Sequence, residues 1–203
     1  MLAVGAHPDD IELGCAGALA LHKLNGDKVY LLVLTKGEAS GNIDIREKEC
    51  REAAAILGVD DLFFGGLEDT RVHDGRETID IIEKIVDAVD PDIIYAPTCK
   101  DTHQDHRNTG HSAQSAARRC KMILLYEGAS TQRNFVPQVF VDITRTFDVK
   151  KKATRVFGSQ LNNDRGGYSS AVEAVEGLAK YRGYQAGLEV AEAFEVGRFI
   201  FEV

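Results

Sequence analysis

The chain has 203 residues, of which 44% are hydrophobic and 28% are charged, and its formal net charge is −8. This composition supplies enough apolar surface for one folded domain and excludes an intrinsically disordered chain. The excess of 32 acidic over 24 basic residues repels a phosphate backbone, so nucleic acid is not an expected partner. Because the sequence shows neither a membrane-length apolar stretch nor a signal peptide, we expect a cytoplasmic protein.

Apolar segments of strand length alternate with segments of helical period over the first 127 residues, which is typical of a parallel sheet covered by helices. The predicted strands are 2–6, 28–35, 61–67, 92–98 and 122–126, and the predicted helices between them are 11–24, 46–57, 78–89 and 109–119. The weaker pattern that follows predicts a strand at 138–143, a helix at 148–157, a loop at 162–167, a helix at 169–187 and a strand at 193–203.

These elements predict a single α/β domain over residues 1–203, a Rossmann-like three-layer sandwich with a mostly parallel sheet. Residues 1–127 form its parallel core and residues 128–203 a C-terminal extension. A basic run at 150–152 is expected on a solvated helix face. The scattered cysteines, without a CxxC pair, argue against a disulfide framework and against a thiolate zinc site.

The segment His7-Pro8-Asp9-Asp10 directly follows the first predicted strand. Ligands of open parallel sheets bind outside the carboxyl ends of the strands. An imidazole and a carboxylate three residues apart are suitable ligands for Zn²⁺ or a similar divalent ion. The alternative is that Asp9 and Asp10 only cap the next helix and interact with its positive end.

A second polar segment, Asp101 to His106, follows the fourth predicted strand, which lies beside the first in a doubly wound sheet. The two segments together bring three histidines and four aspartates to one cleft. A catalytic zinc ion keeps three protein ligands and one open position. Two histidines and one aspartate fill those places, and a free carboxylate can then take a proton from water. The pattern therefore predicts metal-assisted hydrolysis of an amide or an ester.

The motifs AHPDD at residues 6–10 and HQDH at residues 103–106 resemble those of the LmbE/PIG-L family of metal-dependent deacetylases. The resemblance extends to residues 35–38, to Arg46 and to residues 191–194. It implies a zinc-dependent enzyme that removes an N-acetyl group from a GlcNAc-type sugar or its conjugate. Ferrous iron or another divalent ion would also suit these donors. The resemblance further implies a homo-oligomer, either a trimer or a hexamer.

The resemblance also implies a role for individual residues. His7, Asp10 and His106 would bind the metal, Asp9 would be the general base and His103 would stabilise the transition state. Asp105 would orient a neighbouring histidine, and Arg46 would hold the substrate. Many relatives carry a tyrosine where this chain has Val190, so we expect another donor, such as His103, to polarise the substrate carbonyl.

Two other functions remain open at this point. One is a metal-dependent amidase acting on a different amide, such as that of a thiol conjugate, which would release an acid other than acetate. The other is a non-catalytic α/β module whose acidic cleft binds a metal ion or a sugar, which would bind without hydrolysing. Neither the sugar nor the form in which it is presented can be deduced from these residues.

Overall fold

The computed structural model describes residues 1–161 and 171–201, and the predicted loop at 162–167 lies outside this range. The strands are β1 (Leu2–Gly5), β2 (Tyr30–Thr35), β3 (Asp61–Leu67), β4 (Ile93–Pro97), β5 (Met122–Tyr126), β6 (Val139–Asp142) and β7 (Ala191–Phe199). The helices are α1 (Asp10–Gly14), α2 (Ala16–Leu24), α3 (Ile43–Leu57), α4 (Arg76–Val89), α5 (Gln104–Ala116), α6 (Phe147–Arg155), α7 (Gly158–Leu161) and α8 (Ala171–Ala186).

Seven strands of the described chain form one sheet in the order β3-β2-β1-β4-β5-β7-β6. The first five strands in the sequence are parallel, whereas β7 is antiparallel to both β5 and β6. Leu2 pairs with Tyr30 on one side and with Ile94 on the other, so β1 lies between β2 and β4. The predicted α/β fold with a mostly parallel sheet is therefore confirmed.

The central strands are buried on both faces because their side chains alternate between two cores. On β2, Leu31 packs with Leu19 of α2 and Ala53 of α3 on one side of the sheet. The next residue, Leu32, packs with Ile82 of α4 on the other side. Helices thus cover both faces, and the carboxyl ends of the parallel strands remain as the edge where polar loops can meet. Within the described residues, no helix has both the length and the hydropathy needed to cross a bilayer.

The predicted helix at 11–24 is divided in the structure into α1 and α2, with one non-helical residue, Cys15, between them. The carboxylate of Glu192 accepts hydrogen bonds from the backbone N–H groups of Gly17 and Ala18 at 2.8 and 2.7 Å. These amides belong to the first turn of α2, where no helical carbonyl is available to them. A side chain from β7 therefore stabilises the start of α2, which the periodicity of residues 11–24 did not predict.

Helix α5 begins at Gln104, five residues before the predicted start. His103 precedes the helix in an extended conformation, and its Nδ1 accepts a hydrogen bond from the N–H of Asp105 at 3.2 Å. Histidine is not among the residues that usually cap helices. The predicted start at residue 109 was therefore wrong, and Asp105 and His106 lie on the rigid first turn of a helix.

The basic run at 150–152 is only partly solvated, and the prediction is wrong for Lys150, which is 2% exposed. Its ammonium group donates hydrogen bonds to the carbonyl of Leu13 at 2.7 Å and to the carboxylate of Glu192 at 2.5 Å. This buried pair joins α6 to the end of α1 and to β7. Lys152, two residues further on, is exposed.

Replacing Lys150 by methionine is expected to lower the free energy of unfolding by about 3–5 kcal/mol, because Glu192 keeps a buried charge without its partner. Methionine retains most of the packing of the lysine stem, so the loss reports mainly on the charge. Chemical denaturation of the variant measures the effect, with Lys152→Met as the matched control on the exposed face of the same helix. Equal stability of the two variants would contradict a structural role for the pair.

Candidate metal centre

The two polar segments meet at the carboxyl edge of the sheet, because one follows β1, the other follows β4 and these strands are neighbours. The ring centroids of His7 and His103 are 4.9 Å apart, and those of His103 and His106 are 4.6 Å apart. His7 and Asp10 are buried, at 7% and 8% exposure. The structure therefore brings the sequence-predicted histidines and Asp10 into one cluster.

The ligand atoms predicted for the metal lie close to one another. Nε2 of His106 is 3.3 Å from Nδ1 of His7 and 3.2 Å from Oδ1 of Asp10, and Nδ1 of His7 is 3.5 Å from Oδ2 of Asp10. In a tetrahedral zinc site with bonds of about 2.0–2.1 Å, neighbouring ligand atoms are roughly 3.3 Å apart. The distances to Asp10 end on different oxygens of its carboxylate, so the two imidazoles and this carboxylate form a closely spaced donor set of the kind that binds a divalent ion.

Backbone groups orient the carboxylate of Asp10. Its Oδ2 accepts hydrogen bonds from the N–H groups of Ala6 and His7 at 2.9 and 2.8 Å, which leaves Oδ1 toward His106. Two other sets of donor atoms also lie within 4.8 Å of one another, namely His7 with His103 and His106, and His7 with Asp69 and Asp105. His103 has Nδ1 occupied by the N–H of Asp105, so its Nε2 is the atom available to a ligand.

Each of the two histidines predicted to bind the metal contacts a carboxylate through its other ring nitrogen. Nε2 of His7 is 3.1 Å from Asp105 and 3.0 Å from Asp69. Nδ1 of His106 is 3.3 Å from Asp101. Carboxylates in this position fix the orientation and tautomer of metal-binding histidines. The geometry suits the role expected of Asp105, with His7 as its neighbour.

Asp69 and Asp101 were not singled out from the sequence as individual site residues. Asp101 opens the second polar segment, and its position two residues before His103 could have drawn attention to it. Asp69 follows β3 without any recognisable motif. It reaches His7 only because the loops after the parallel strands β1 and β3 leave the sheet at the same edge. Only the fold brings this carboxylate to the cluster.

The electrostatics of the cluster favour a positive charge. Burial lowers the pKa of His7, but hydrogen bonds to Asp10, Asp105 and Asp69 raise it overall to about 12. Burial likewise opposes protonation of His106, whereas Asp10 and Asp101 raise its pKa to about 10. In the absence of a metal ion, protons on the imidazoles therefore balance the carboxylates. A divalent cation would displace those protons, so metal affinity should increase with pH.

Asp9 lies next to the predicted ligands with its side chain 20% exposed. Its backbone has φ 107°, a left-handed conformation that residues other than glycine, asparagine and aspartate seldom adopt and that is often found at functional sites. Burial and the neighbouring Asp10 carboxylate raise the pKa of Asp9 to about 7. A carboxyl group with such a pKa can accept and return a proton near neutral pH.

Arg46 is 2% exposed and lies behind Asp9. Its guanidinium donates hydrogen bonds to the carbonyl of Pro8 at 2.7 Å and to the carbonyl of Gly37 at 2.9 Å, and Nη2 is 3.7 Å from Oδ1 of Asp9. Gly37 has φ 68°, and a Cβ atom there would overlap the guanidinium. Arg46 thus ties the segment before Asp9 to the loop after β2, and its predicted contact with substrate remains a prediction.

Val190, which stands where many relatives have tyrosine, is 4% exposed and packs in an apolar cluster. Its neighbours there are Ile143, Phe147 and Ala179. This environment suits an aliphatic side chain. The expectation that His103 polarises the substrate carbonyl in place of a tyrosine remains a prediction.

The mostly parallel sheet and the His/Asp cluster at its carboxyl edge define an α/β domain with a candidate metal-dependent hydrolytic site. The PIG-L family, described as GlcNAc-PI de-N-acetylase, matches residues 2–117, and the chain belongs to this family. YaiS, an uncharacterized deacetylase of Escherichia coli (strain K12), is 36% identical over 161 residues, which cover 75% of this chain and 86% of YaiS. The family resemblance of the two motifs is therefore confirmed.

A solved structure of N,N'-diacetylchitobiose deacetylase from Pyrococcus horikoshii, in complex with its inhibitor MPG, is also similar. It superimposes with a TM-score of 0.85 at 26% identity and covers 96% of this chain and 82% of that chain. The relatives do not all share one reaction. One of them is a 4-oxalmesaconate hydratase of Pseudomonas putida, which is 25% identical over 193 residues that cover 78% of this chain and 73% of the hydratase. Relatives of the chain thus include both hydrolases and a hydratase.

Proposed function

We propose that the chain is a metal-dependent N-deacetylase that removes the acetyl group from a GlcNAc-type amino sugar or its conjugate. The observation that carries the proposal is a partly exposed carboxylate, Asp9, which is not among the predicted ligands but lies beside their closely spaced imidazole and carboxylate groups. A purely structural metal site would be closed by four ligands. Membership of the PIG-L family and the deacetylases among the relatives support the same reaction.

His7, Asp10 and His106 are the residues that would hold the ion, zinc or another divalent metal such as iron. Such an ion lowers the pKa of water and stabilises negative charge on a carbonyl oxygen. The three side chains leave the face toward Asp9 and His103 for substrate and water. Asp105, Asp69 and Asp101 keep the two imidazoles oriented.

Asp9 takes the proton of the attacking water as the new C–O bond forms, and its position beside the predicted ligands suits this task. The protonated Asp9 then returns a proton to the departing amine when the C–N bond breaks. His103 is held in one tautomer, because its Nδ1 accepts the N–H of Asp105 and the proton of the neutral ring is therefore on Nε2. Burial and the nearby His106 lower the pKa of His103, which favours this neutral donor form. Its Nε2–H can then stabilise the developing oxyanion.

Replacing Arg46 by lysine is expected to lower kcat by about 10- to 100-fold with little change in KM, because Asp9 loses the group that positions it. A lysine cannot donate to the Pro8 and Gly37 carbonyls together with the fork geometry of arginine. Steady-state kinetics with an N-acetyl sugar measure the effect, and Arg51→Lys on the exposed face of α3 is the control. A rise in KM at unchanged kcat would instead favour the substrate-binding role predicted from the resemblance.

Acetate release from a panel of N-acetylated sugars, free and conjugated, tests the proposed reaction. We expect acetate together with one equivalent of free amine from at least one GlcNAc-type member of the panel. Release of another acid from a thiol conjugate alone would favour the amidase, and bound metal without any hydrolysis would favour a binding module. Addition of water to an unsaturated acid without amide cleavage would identify a hydratase. The trimer or hexamer remains part of this proposal and rests on the resemblance alone.

A further inference from the structure

A cavity of about 40 Å³ lies beside the predicted ligand set, between α1 and the ends of β4 and β5. Its apolar walls are Leu13, Pro97, Tyr126 and Ala129, and Asp10 and His106 close the side toward the metal centre. Ala129 is exposed, whereas Leu13 is half-buried and Tyr126 is 2% exposed. Ala129 is therefore the wall of the cavity at its surface end, opposite the metal centre.

The walls of this cavity offer little to a polar ligand. The hydroxyl of Tyr126 donates to the carbonyl of Val4 at 2.8 Å, so the residue lines the cavity without a free donor. The carboxylate of Asp101, which also borders the cavity, accepts hydrogen bonds from Ser130 at 2.5 Å and from the N–H of His103 at 2.8 Å. A sugar hydroxyl placed against the apolar walls would lose its hydrogen bonds to water without replacement. An apolar group placed there has no hydrogen bonds to water to lose.

The size of the cavity limits which apolar group can enter. One water molecule needs about 10–15 Å³ of such space, so the cavity holds roughly three atoms of that size. The methyl and carbonyl groups of an acetyl fit within this space, and each further methylene would have to displace a wall. Leu13 resists displacement because its N–H donates to the carbonyl of Asp9 at 2.9 Å and its carbonyl accepts from Lys150.

We propose that this space, which we call the acyl cavity, receives the methyl end of the substrate's acyl group and restricts the reaction to short acyl chains. The proposal rests on the proposed deacetylase function and adds a specificity site to it. Leu13 and Ala129 are its size-determining residues, Leu13 as a wall next to the metal centre and Ala129 at the exposed end. The sugar then lies outside the cavity, where its hydroxyl groups keep their contact with water.

A series of glucosamines carrying N-formyl, N-acetyl, N-propionyl and N-butyryl groups tests the size limit. We expect kcat/KM to fall at least about tenfold from acetyl to propionyl, which is the smallest discrimination that one methylene usually produces in a fitted pocket. It should fall further for butyryl. Equal kcat/KM values for acetyl and butyryl would overturn the proposal.

Two variants change the acyl cavity in opposite directions. Leu13→Ala enlarges it and should raise the propionyl-to-acetyl ratio of kcat/KM about tenfold. Ala129→Leu fills it from an exposed position that tolerates a larger side chain, and it should lower the acetyl-to-formyl ratio. Leu24→Ala, at a residue of α2 that is 58% exposed, is the control and should leave both ratios unchanged. Unchanged ratios in a folded Ala129→Leu variant would overturn the proposal even if Leu13→Ala does not fold.

Binding of small neutral amides provides a readout that does not depend on turnover. Saturation-transfer NMR with acetamide and butyramide should show transfer to acetamide alone in the unaltered chain, and none to either amide in Ala129→Leu. Equal transfer to both amides, unaffected by Ala129→Leu, would contradict the acyl cavity. Failure of every N-acyl sugar to react would refute the deacetylase proposal, whereas hydrolysis without chain-length selection would refute only the acyl cavity.

Discussion

An Asp9→Asn variant is expected to bind its metal ion normally and to lose about 10²- to 10⁴-fold in kcat, the contribution usually made by a general acid–base group. Asparagine has nearly the same shape as aspartate and tolerates the left-handed conformation that Asp9 adopts with φ 107°. The variant therefore removes the proton acceptor with little disturbance of the backbone. Because Asp9 is not among the predicted ligands, His7, Asp10 and His106 would still hold the ion.

The measurement pairs kcat for acetate release with metal content determined by elemental analysis on the same preparation. Asp90→Asn is the matched control, because Asp90 also has a positive φ, 44°, and lies at the end of α4 outside the cluster. Turnover by Asp9→Asn equal to that of the unaltered chain would show that another group takes the proton. Loss of metal together with turnover would instead place Asp9 among the ligands.

A His106→Ala variant is expected to lose both the metal ion and turnover. Loss of a partner that only orients a ligand costs about 10- to 100-fold in metal affinity, and loss of the ligand itself should exceed that range. His106 lies on the first turn of a helix with Nε2 3.2 Å from Asp10 and 3.3 Å from His7, so the substitution removes one of the three predicted donors from the cluster.

Competition with a chromogenic chelator measures the zinc affinity of this variant. His111→Ala is the control, because His111 is an exposed histidine of the same helix, and it should bind zinc as the unaltered chain does. Unchanged zinc affinity in His106→Ala would remove His106 from the ligand set. It would then favour the second donor group, in which His7 is joined by Asp69 and Asp105.

Much of the parallel core was predictable because each strand is a short, nearly continuous apolar run, whereas the apolar residues of each helix recur with the helical period. The strand β2 illustrates this, since Leu31 and Leu32 enter opposite cores and both faces therefore require apolar side chains. The first polar segment was predictable for the related reason that loops after parallel strands meet at one edge. That rule brings His106, which follows β4, to His7 and Asp10, which follow β1.

Other features depend on contacts between distant parts of the chain. Lys150 is buried because Glu192, 42 residues later, supplies its partner, and a local pattern of charges does not contain that information. The early start of α5 depends on His103, whose ring nitrogen acts as a cap although histidine has no strong preference for this position. Asp69 joins the cluster only through the order of the strands, so no sequence motif accompanies it.

Zinc titration of the metal-free chain, with acetate release recorded at each addition, tests the central claim most directly. If His7, Asp10 and His106 form one catalytic centre, acetate release from the responsive GlcNAc-type substrate should be absent without metal. It should then rise in proportion to bound zinc and level off at about one equivalent per chain. Acetate release that is already complete in the metal-free chain would contradict the account.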